Sequence, residues 1–355
     1  MDRLVGSCVR RVRLLTFLFL ATTFIFLVQG VSTVQADTPS FDVQAVLPKN
    51  QVTPHIEFFD IRVSPDEEQS LQVDLANLTG KTNNITIDAA APVTDLTGKV
   101  NYTDPNSQAD PSAQYSVHKL FQGPKSVILA PHETKAVTLT LKTPPKAFSG
   151  LIIGSFIFSS DSNPSVRDDK KSHRLKNEIR VSIPIGLRST NPPIATVVPD
   201  LDLGEPKIVT SPFGGGAIQI RLRNVEPAFT GEVTGTIDVH DKDEQTNSFR
   251  YKQKTFGIAP NSFFEMFTPW GGGVVQPGHY VLTYRFSAGE RNWTFTRQLI
   301  VSRDEATSVN QTQPATQNNA LIWWLIAILL VVLLVVSITV LVWYRGKKRG
   351  QQLNS

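Results

Sequence analysis

The sequence predicts an all-β protein: two tandem immunoglobulin-like β-sandwich domains, followed by a single C-terminal transmembrane helix. Three observations predict it. Between residues 37 and 302 apolar residues recur with period two in short runs, separated by turns rich in Gly, Pro and Asn. The same turn punctuation is written twice in the same order. Near the end, residues 321–344 (LIWWLIAILLVVLLVVSITVLVWY) carry no charge.

At the amino-terminal end, Arg3, Arg10, Arg11 and Arg13 precede an apolar run over residues 14–28, and VQA follows at 34–36. A basic region, a hydrophobic region and small residues at −3 and −1 predict a signal peptide over 1–36, cleaved after Ala36. The alternative is an uncleaved anchor, for which the run is short.

Period-two runs then follow: Leu71, Val73 and Leu75 against Gln72 and Asp74; Val137, Leu139 and Leu141 against Thr138 and Thr140; Ile218, Ile220 and Leu222 against Gln219 and Arg221. The echo is read on three landmarks. Leu75-Ala76-Asn77 returns as Leu222-Arg223-Asn224, Ala130-Pro131 as Ala259-Pro260, and the Gly150 run LIIGSFIFS as the Gly278 run HYVLTYRFS. Between the first and second landmarks the first copy is the longer. The surplus falls in residues 95–122, which include NYTDPNSQADPSAQYS. That insertion is expected on a sandwich rim, where added loop costs little stability and recognition residues collect.

The division expected is a first domain over 37–160 and a second over 161–303, with the polar stretch 159–174 at the boundary. Residues 304–320 have almost no bulky apolar side chain and are expected to form a solvated polar stalk. The 24-residue run 321–344 would reach roughly 36 Å as a helix, enough to cross a ~30 Å hydrocarbon core. Trp323 and Trp324 flank it on one side and Trp343 and Tyr344 on the other, where amphipathic rings meet the membrane interface. Arg345, Lys347, Lys348 and Arg349 follow in a basic tail over 345–355, so the tail is expected in the cytoplasm and the rest outside.

The formal charge of +4 reflects these topology signals. Subtracting +3 for the leader and +4 for the tail leaves −3 on the exposed part, so the basic balance does not indicate nucleic-acid binding. The single cysteine, Cys8, lies in the leader. A disulfide-free exported domain fits a Gram-positive surface better than a eukaryotic one.

Signatures of catalysis are missing. The six histidines (His55, His118, His132, His173, His240, His279) show no HExxH spacing, and there is no nucleophile elbow or phosphate loop. No cofactor is expected. HDKDE at 240–244 reads either as a cation site or as a charged hairpin tip. Asn77, Asn84, Asn101, Asn292 and Asn310 stand in Asn-x-Thr triplets, which in a eukaryotic receptor ectodomain would accept glycans. Tyr102 and Tyr115 in the insertion, and Trp270 beside a glycine run, are the candidate ligand-binding aromatics; Trp293, in a strand context, reads as core.

The first half resembles the peptidoglycan-binding domain of the WxL-interacting proteins, on FDVQAVLPKNQ (41–51), FFDIRVSPDEEQSLQVDLAN (58–77), the Asn101-Tyr102 insertion, ILAPHETKAVTLTLKTP (128–144) and FSGLIIGSFIFS (148–159). The second half resembles that family's host-binding domain, on IRLRN (220–224), IAPNSFFEMF (258–267), PGHYVLTYRF (277–286) and RNWTFTRQLIVS (291–302). The resemblance implies a membrane-anchored cell-surface protein that binds without chemistry. Its partners would be peptidoglycan, WxL-domain surface proteins and a host extracellular matrix protein, with membrane lipid around the span. WGGGVVQ (270–276) is richer in glycine than the family pattern.

Overall fold

The structure is a computed structural model, and it describes residues 39–160, 179–189, 197–242, 248–271 and 273–311, with 323–326, 329–330 and 332–333 near the end. It is all-β, as predicted. The leader with Ala36, and Trp343, Tyr344, Arg345, Lys347, Lys348 and Arg349, lie outside the described residues. Among the described residues no helix is long and apolar enough to cross a membrane. Trp323 and Trp324 lie in a short helical piece of a segment that is otherwise largely undescribed.

The first sandwich packs two sheets. One contains β1 (Phe41–Val46), β3 (Glu68–Asn77) and β8 (Thr134–Lys142), in the order β1-β3-β8. The other contains β2 (Phe59–Val63), β4 (Asn83–Ala90), β7 (Ser126–Leu129), β9 (Leu151–Ser160) and β10 (Arg180–Ser189), in the order β2-β10-β9-β4-β7. Period-two alternation turns Leu71, Val73, Leu75, Val137, Leu139 and Leu141 inward from the smaller sheet. They meet Phe59, Ile85, Ile87, Phe156 and Phe158 from the larger one, where Phe59 and Phe156 stand edge to face, 6.4 Å apart.

β10 moves the expected domain boundary. It runs antiparallel to β9 from Arg180↔Ser159 to Arg188↔Leu151 and parallel to β2, and Ile183, Ile185 and Leu187 belong to the first core. Arg188 adds an ion pair to the buried Asp60 of β2 at 2.6 Å. The first sandwich therefore closes at Ser189. A fragment ending at residue 160 would lose a central strand.

The second sandwich follows the same plan. β11 (Leu201–Leu203), β12 (Lys207–Thr210), β13 (Gly216–Asn224) and β16 (Ser262–Pro269) form one sheet, and β14 (Val233–Asp241), β15 (Phe249–Phe256), β17 (Gly278–Ala288) and β18 (Arg291–Val301) the other. Trp293 is buried as expected, its Nε1 donating to Asp200 at 2.8 Å. Trp270 is not the exposed aromatic that its glycine neighbours suggested. It is 6% exposed and wedged between Phe249 and Tyr280, with ring centroids 5.7 and 5.0 Å away.

The expected stalk also starts later. A helix, α2 (Arg303–Gln311), buries Ala306 and Val309 in the second core. Ser302 and Glu305 cap it reciprocally: the Ser302 N–H donates to Glu305 Oε2 at 2.9 Å, and the Glu305 N–H donates to Ser302 Oγ at 3.2 Å. Residues 312–320 lie outside the described residues.

The repeated punctuation has a physical cause. Asn77 ends β3 with its side chain buried, and its Nδ2 donates to the carbonyls of Ala130 and Lys81, both at 2.8 Å. Asn224 ends β13 in the same way, donating to Ala259 at 3.0 Å and Ala228 at 2.7 Å. Each Ala-Pro then turns through a residue in the left-handed region, His132 at φ 56° and Asn261 at φ 46°. The amide thus ties each strand end to the corner that launches the next inward-alternating strand.

The insertion does not stand free on a rim. Its first part forms β5 (Val93–Thr94) and β6 (Val100–Asn101), and this hairpin extends the second domain's sheet to the order β11-β13-β16-β5-β6. β5 pairs in parallel with β16 at Thr94↔Phe264. Thr94 Oγ1 donates to the Gly257 carbonyl at 2.9 Å, and the Gly257 N–H donates to the Gly98 carbonyl at 3.0 Å. Gly98, at φ 85°, is required where it sits, because a Cβ there would lie 2.6 Å from Phe256 Cβ. Gly150, at φ 77°, makes a second close approach, to the Pro227 carbonyl oxygen, whose Leu151 N–H bond is 2.8 Å. Shortening the insertion would therefore open the joint between the sandwiches, contrary to the expectation of a dispensable loop.

Candidate ligand site in the insertion

The second part of the insertion is shaped by two Asp-Pro turns. Asp104 begins Asp-Pro-Asn-Ser, with Oδ1 accepting from the Asn106 N–H at 3.0 Å and its carbonyl from the Ser107 N–H at 3.1 Å. Asp110 begins Asp-Pro-Ser-Ala, with Oδ1 accepting from the Ser112 N–H at 2.9 Å and its carbonyl from the Ala113 N–H at 2.8 Å. Proline presets φ at the second position and the Asp side chain bonds its own turn, so DPNS and DPSA are both turn sequences. A short helix, α1 (Val117–Leu120), then anchors the segment by burying Val117 in the first core.

Turns and helix enclose a cavity of about 800 Å³, lined by residues 105–111 with Ala113, Ser116, His118 and Lys119. Asn106 and Gln108 are exposed there, and Ser116 makes no side-chain capping bond. His118 Nδ1 donates to the Ala89 carbonyl at 2.7 Å, which places the proton on Nδ1 and fixes the ring. Asp110 is the one carboxylate in the lining. It is 3% exposed and held by Arg223 of β13, whose Nε and Nη2 donate to its two oxygens, each at 2.8 Å. Burial alone would raise this carboxyl. The bonds from Arg223 and Ser112, with the guanidinium charge, outweigh burial and hold it below the usual carboxylate range.

With Asp110 neutralised, the lining offers amides, hydroxyls, an imidazole and an ammonium beside the apolar faces of Pro105, Ala109, Pro111 and Ala113. That surface suits hydroxyl-, acetamido- and carboxylate-bearing polymers, and it holds no paired carboxylates of the kind glycoside hydrolysis needs. A second groove, about 590 Å³, runs past Asn50, Arg62, Glu67 and Gln69. Its amides are already engaged: Asn50 Nδ2 donates to Gln69 Oε1 and to the Arg62 carbonyl, both at 2.8 Å.

The predicted aromatics do not line the cavity. Tyr102 is half-buried, and desolvation pushes its phenol up to about 12; its backbone carbonyl accepts from Ser155 Oγ at 2.7 Å. Tyr115 packs on the first core, tilted against Phe148 at 6.4 Å. Asn106, Gln108, His118 and Lys119 were missed as site residues. The paired Asp-Pro turns were the signal that could have found them. HDKDE begins at the end of β14, where the Asp241 N–H donates to Ser248 Oγ at 3.0 Å across the hairpin, in keeping with a charged tip. Residues 243–247 lie outside the described residues, among which no cluster of metal-ligating side chains is found.

Two immunoglobulin-like sandwiches in tandem, with a cavity of mixed polar and apolar lining on the insertion of the first, define a protein of two modules. The profile described as WxL Interacting Protein, peptidoglycan binding domain, matches residues 41–160, and WxL Interacting Protein, host binding domain, matches residues 170–311. The chain belongs to the WxL-interacting protein family. The second match starts before β10, although that strand is built into the first sandwich.

No curated protein matches the chain. Among solved structures, it is similar to a Salmonella enterica SafA pilin in complex with the SafB chaperone (9% identity, covering 75% of this chain and 99% of that one, TM-score 0.30). It is also similar to the chaperone–tip adhesin complex of CFA/I fimbriae (11%, 73% and 99%, TM-score 0.29) and to the E. coli chaperone DraB (11%, 74% and 98%, TM-score 0.27).

Proposed function

We infer that this is a cell-surface adhesion protein, a role that the family's two binding domains support. We propose that it acts without catalysis and is held by a membrane span over residues 321–344. The first sandwich grips peptidoglycan in the cavity over residues 105–119, and the second meets WxL-domain surface proteins or a host extracellular matrix protein. The observation that carries this reading is the cavity itself: it sets amides, hydroxyls, an imidazole and an ammonium among apolar faces, its one carboxylate is paired with Arg223, and it lies inside the segment matched as peptidoglycan-binding. The uncharged run 321–344, with Trp at both margins and basic residues after it, supports the anchor.

The alternative of a glycosylated eukaryotic receptor loses two of its acceptor sites. Asn77 bonds two backbone carbonyls, and Asn310 bonds both backbone groups of Val275 at 2.9 Å.

The test is co-sedimentation of the whole detergent-extracted chain with purified sacculi. The wild-type chain is expected to pellet, and Gln108→Ala with Lys119→Ala to pellet several-fold less. Equal pelleting of the double variant would move the site off this cavity. No pelleting of wild type would remove wall binding from the first domain.

A further inference from the structure

We propose that Arg223, which belongs to the second sandwich, is a positioning residue for the cavity of the first, so that the wall-binding site is complete only when both domains are present. The inference rests on the reading of the cavity as the peptidoglycan site. What it adds is dependence on the other domain.

Asp110 starts the second Asp-Pro turn and lines the cavity. Besides its own internal bonds, four bonds tie this turn to the second sandwich. Arg223 clamps both carboxylate oxygens at 2.8 Å. The Asp110 N–H donates to the Asn261 carbonyl at 2.9 Å. Asn261 Nδ2 donates to Ser112 Oγ at 3.0 Å. Arg223 is itself held in orientation by Asp202, 2.8 Å from its other terminal nitrogen. A planar guanidinium sets both the position and the plane of a carboxylate, so the clamp fixes how the turn faces the cavity.

Removing Arg223 leaves a buried carboxylate without its countercharge, and the turn must swing toward water to solvate it. The lining loses its shape although no lining residue has changed. Asn261 supplies the second brace from the Ala-Pro corner of the second domain, the counterpart of His132 in the first.

The experiment compares the whole wild-type chain with Arg223→Ala, Arg223→Lys and Arg221→Ala, using purified sacculi as the probe. Arg221 sits on the same strand but pairs with Glu265, so it controls for loss of charge. Arg223→Ala is expected to bind sacculi about tenfold more weakly, as loss of a desolvated charge pair commonly does. Arg223→Lys keeps part of the affinity and Arg221→Ala binds as wild type. Hydrogen exchange over residues 104–116 rises in Arg223→Ala while the near-ultraviolet signal of the buried Trp270 and Trp293 is kept.

Unchanged exchange in that segment overturns the proposal whatever the sacculi show. Raised exchange with unchanged sacculus binding overturns it as well. If Arg223→Ala loses the tryptophan signal, Asn261→Gly takes its place, since it keeps the left-handed backbone and removes the brace to Ser112 together with one bond to the Val225 carbonyl. Failure of wild type to bind, with exchange raised in the variant, would sink the peptidoglycan reading and leave Arg223 as the residue that positions the turn.

Discussion

The buried side chain of Asn77 donates to the Ala130 carbonyl at 2.8 Å, and Asn224 makes the same bond to Ala259 at 3.0 Å in the second sandwich. One amide therefore fixes the same corner twice. Asn77→Ala removes two donors from carbonyls in a tight turn and should cost about 2–4 kcal/mol. Asn77→Asp should cost at least as much, because it turns an acceptor toward both carbonyls. Chemical unfolding of the whole chain measures both, and a loss under about 0.5 kcal/mol would show that the corner holds without the amide.

His132 occupies a left-handed position where its counterpart is Asn261. Its side chain is exposed, so little packing offsets the backbone cost. His132→Gly should stabilise the first sandwich by up to about 1 kcal/mol, the left-handed penalty less the greater entropy of glycine in the unfolded chain. A lowered unfolding midpoint would mean that the imidazole makes a contribution of its own.

Acid should loosen the joint. Asp110 is lowered on folding, so its contribution is fully present above the ordinary unfolded value of about 3.9 and is lost as pH falls through the lower folded value. Coupling between the sandwiches should therefore hold at neutral pH and at pH 5 and weaken below about pH 4. Fluorescence transfer between one label on each domain reads this, and Asp110→Asn should flatten the profile. A profile that Asp110→Asn leaves unaltered would assign the acid sensitivity elsewhere, Asp95 in the β5–β6 hairpin and Asp238 between Arg250 and Arg285 being further carboxylates held low.

Gly98 has neither space nor backbone freedom for a side chain. Gly98→Ala should cost about 2 kcal/mol through left-handed strain and overpacking against Phe256. The loss should fall on the joint rather than on either core. Hydrogen exchange across residues 93–101 should rise while β3 and β17 stay protected; protection unchanged in the hairpin would show that it accommodates the methyl in place.

The all-β class, the doubled plan and most strands were legible because a half-buried strand writes its burial in alternate residues, as Val137, Leu139 and Leu141 do. α2 was read as stalk: the Ser302–Glu305 spacing is a capping signal, but the polar composition of the segment masked the two apolar residues that seat it. β10 was not, since a polar stretch after residue 159 looks the same whether it separates domains or joins two strands of one sheet. Trp270 misled because a glycine-rich surrounding marks a close approach as readily as an open loop, and here Phe249 makes the approach. The site was least legible. Asp110 and Arg223 are 113 residues apart, and nothing local to either announces the other.

The shared hairpin also sets an order of assembly. As the chain emerges, the first sandwich can close once β10 has passed, but Thr94 must wait a further stretch of chain for Gly257, its partner 163 residues on. Until then β5 and β6 present unpaired edges beside a finished domain, and contacts this distant in sequence form late. Completion of the insertion therefore reports that the second sandwich has arrived, and a chain halted between the two would display a folded first domain whose insertion is still unset.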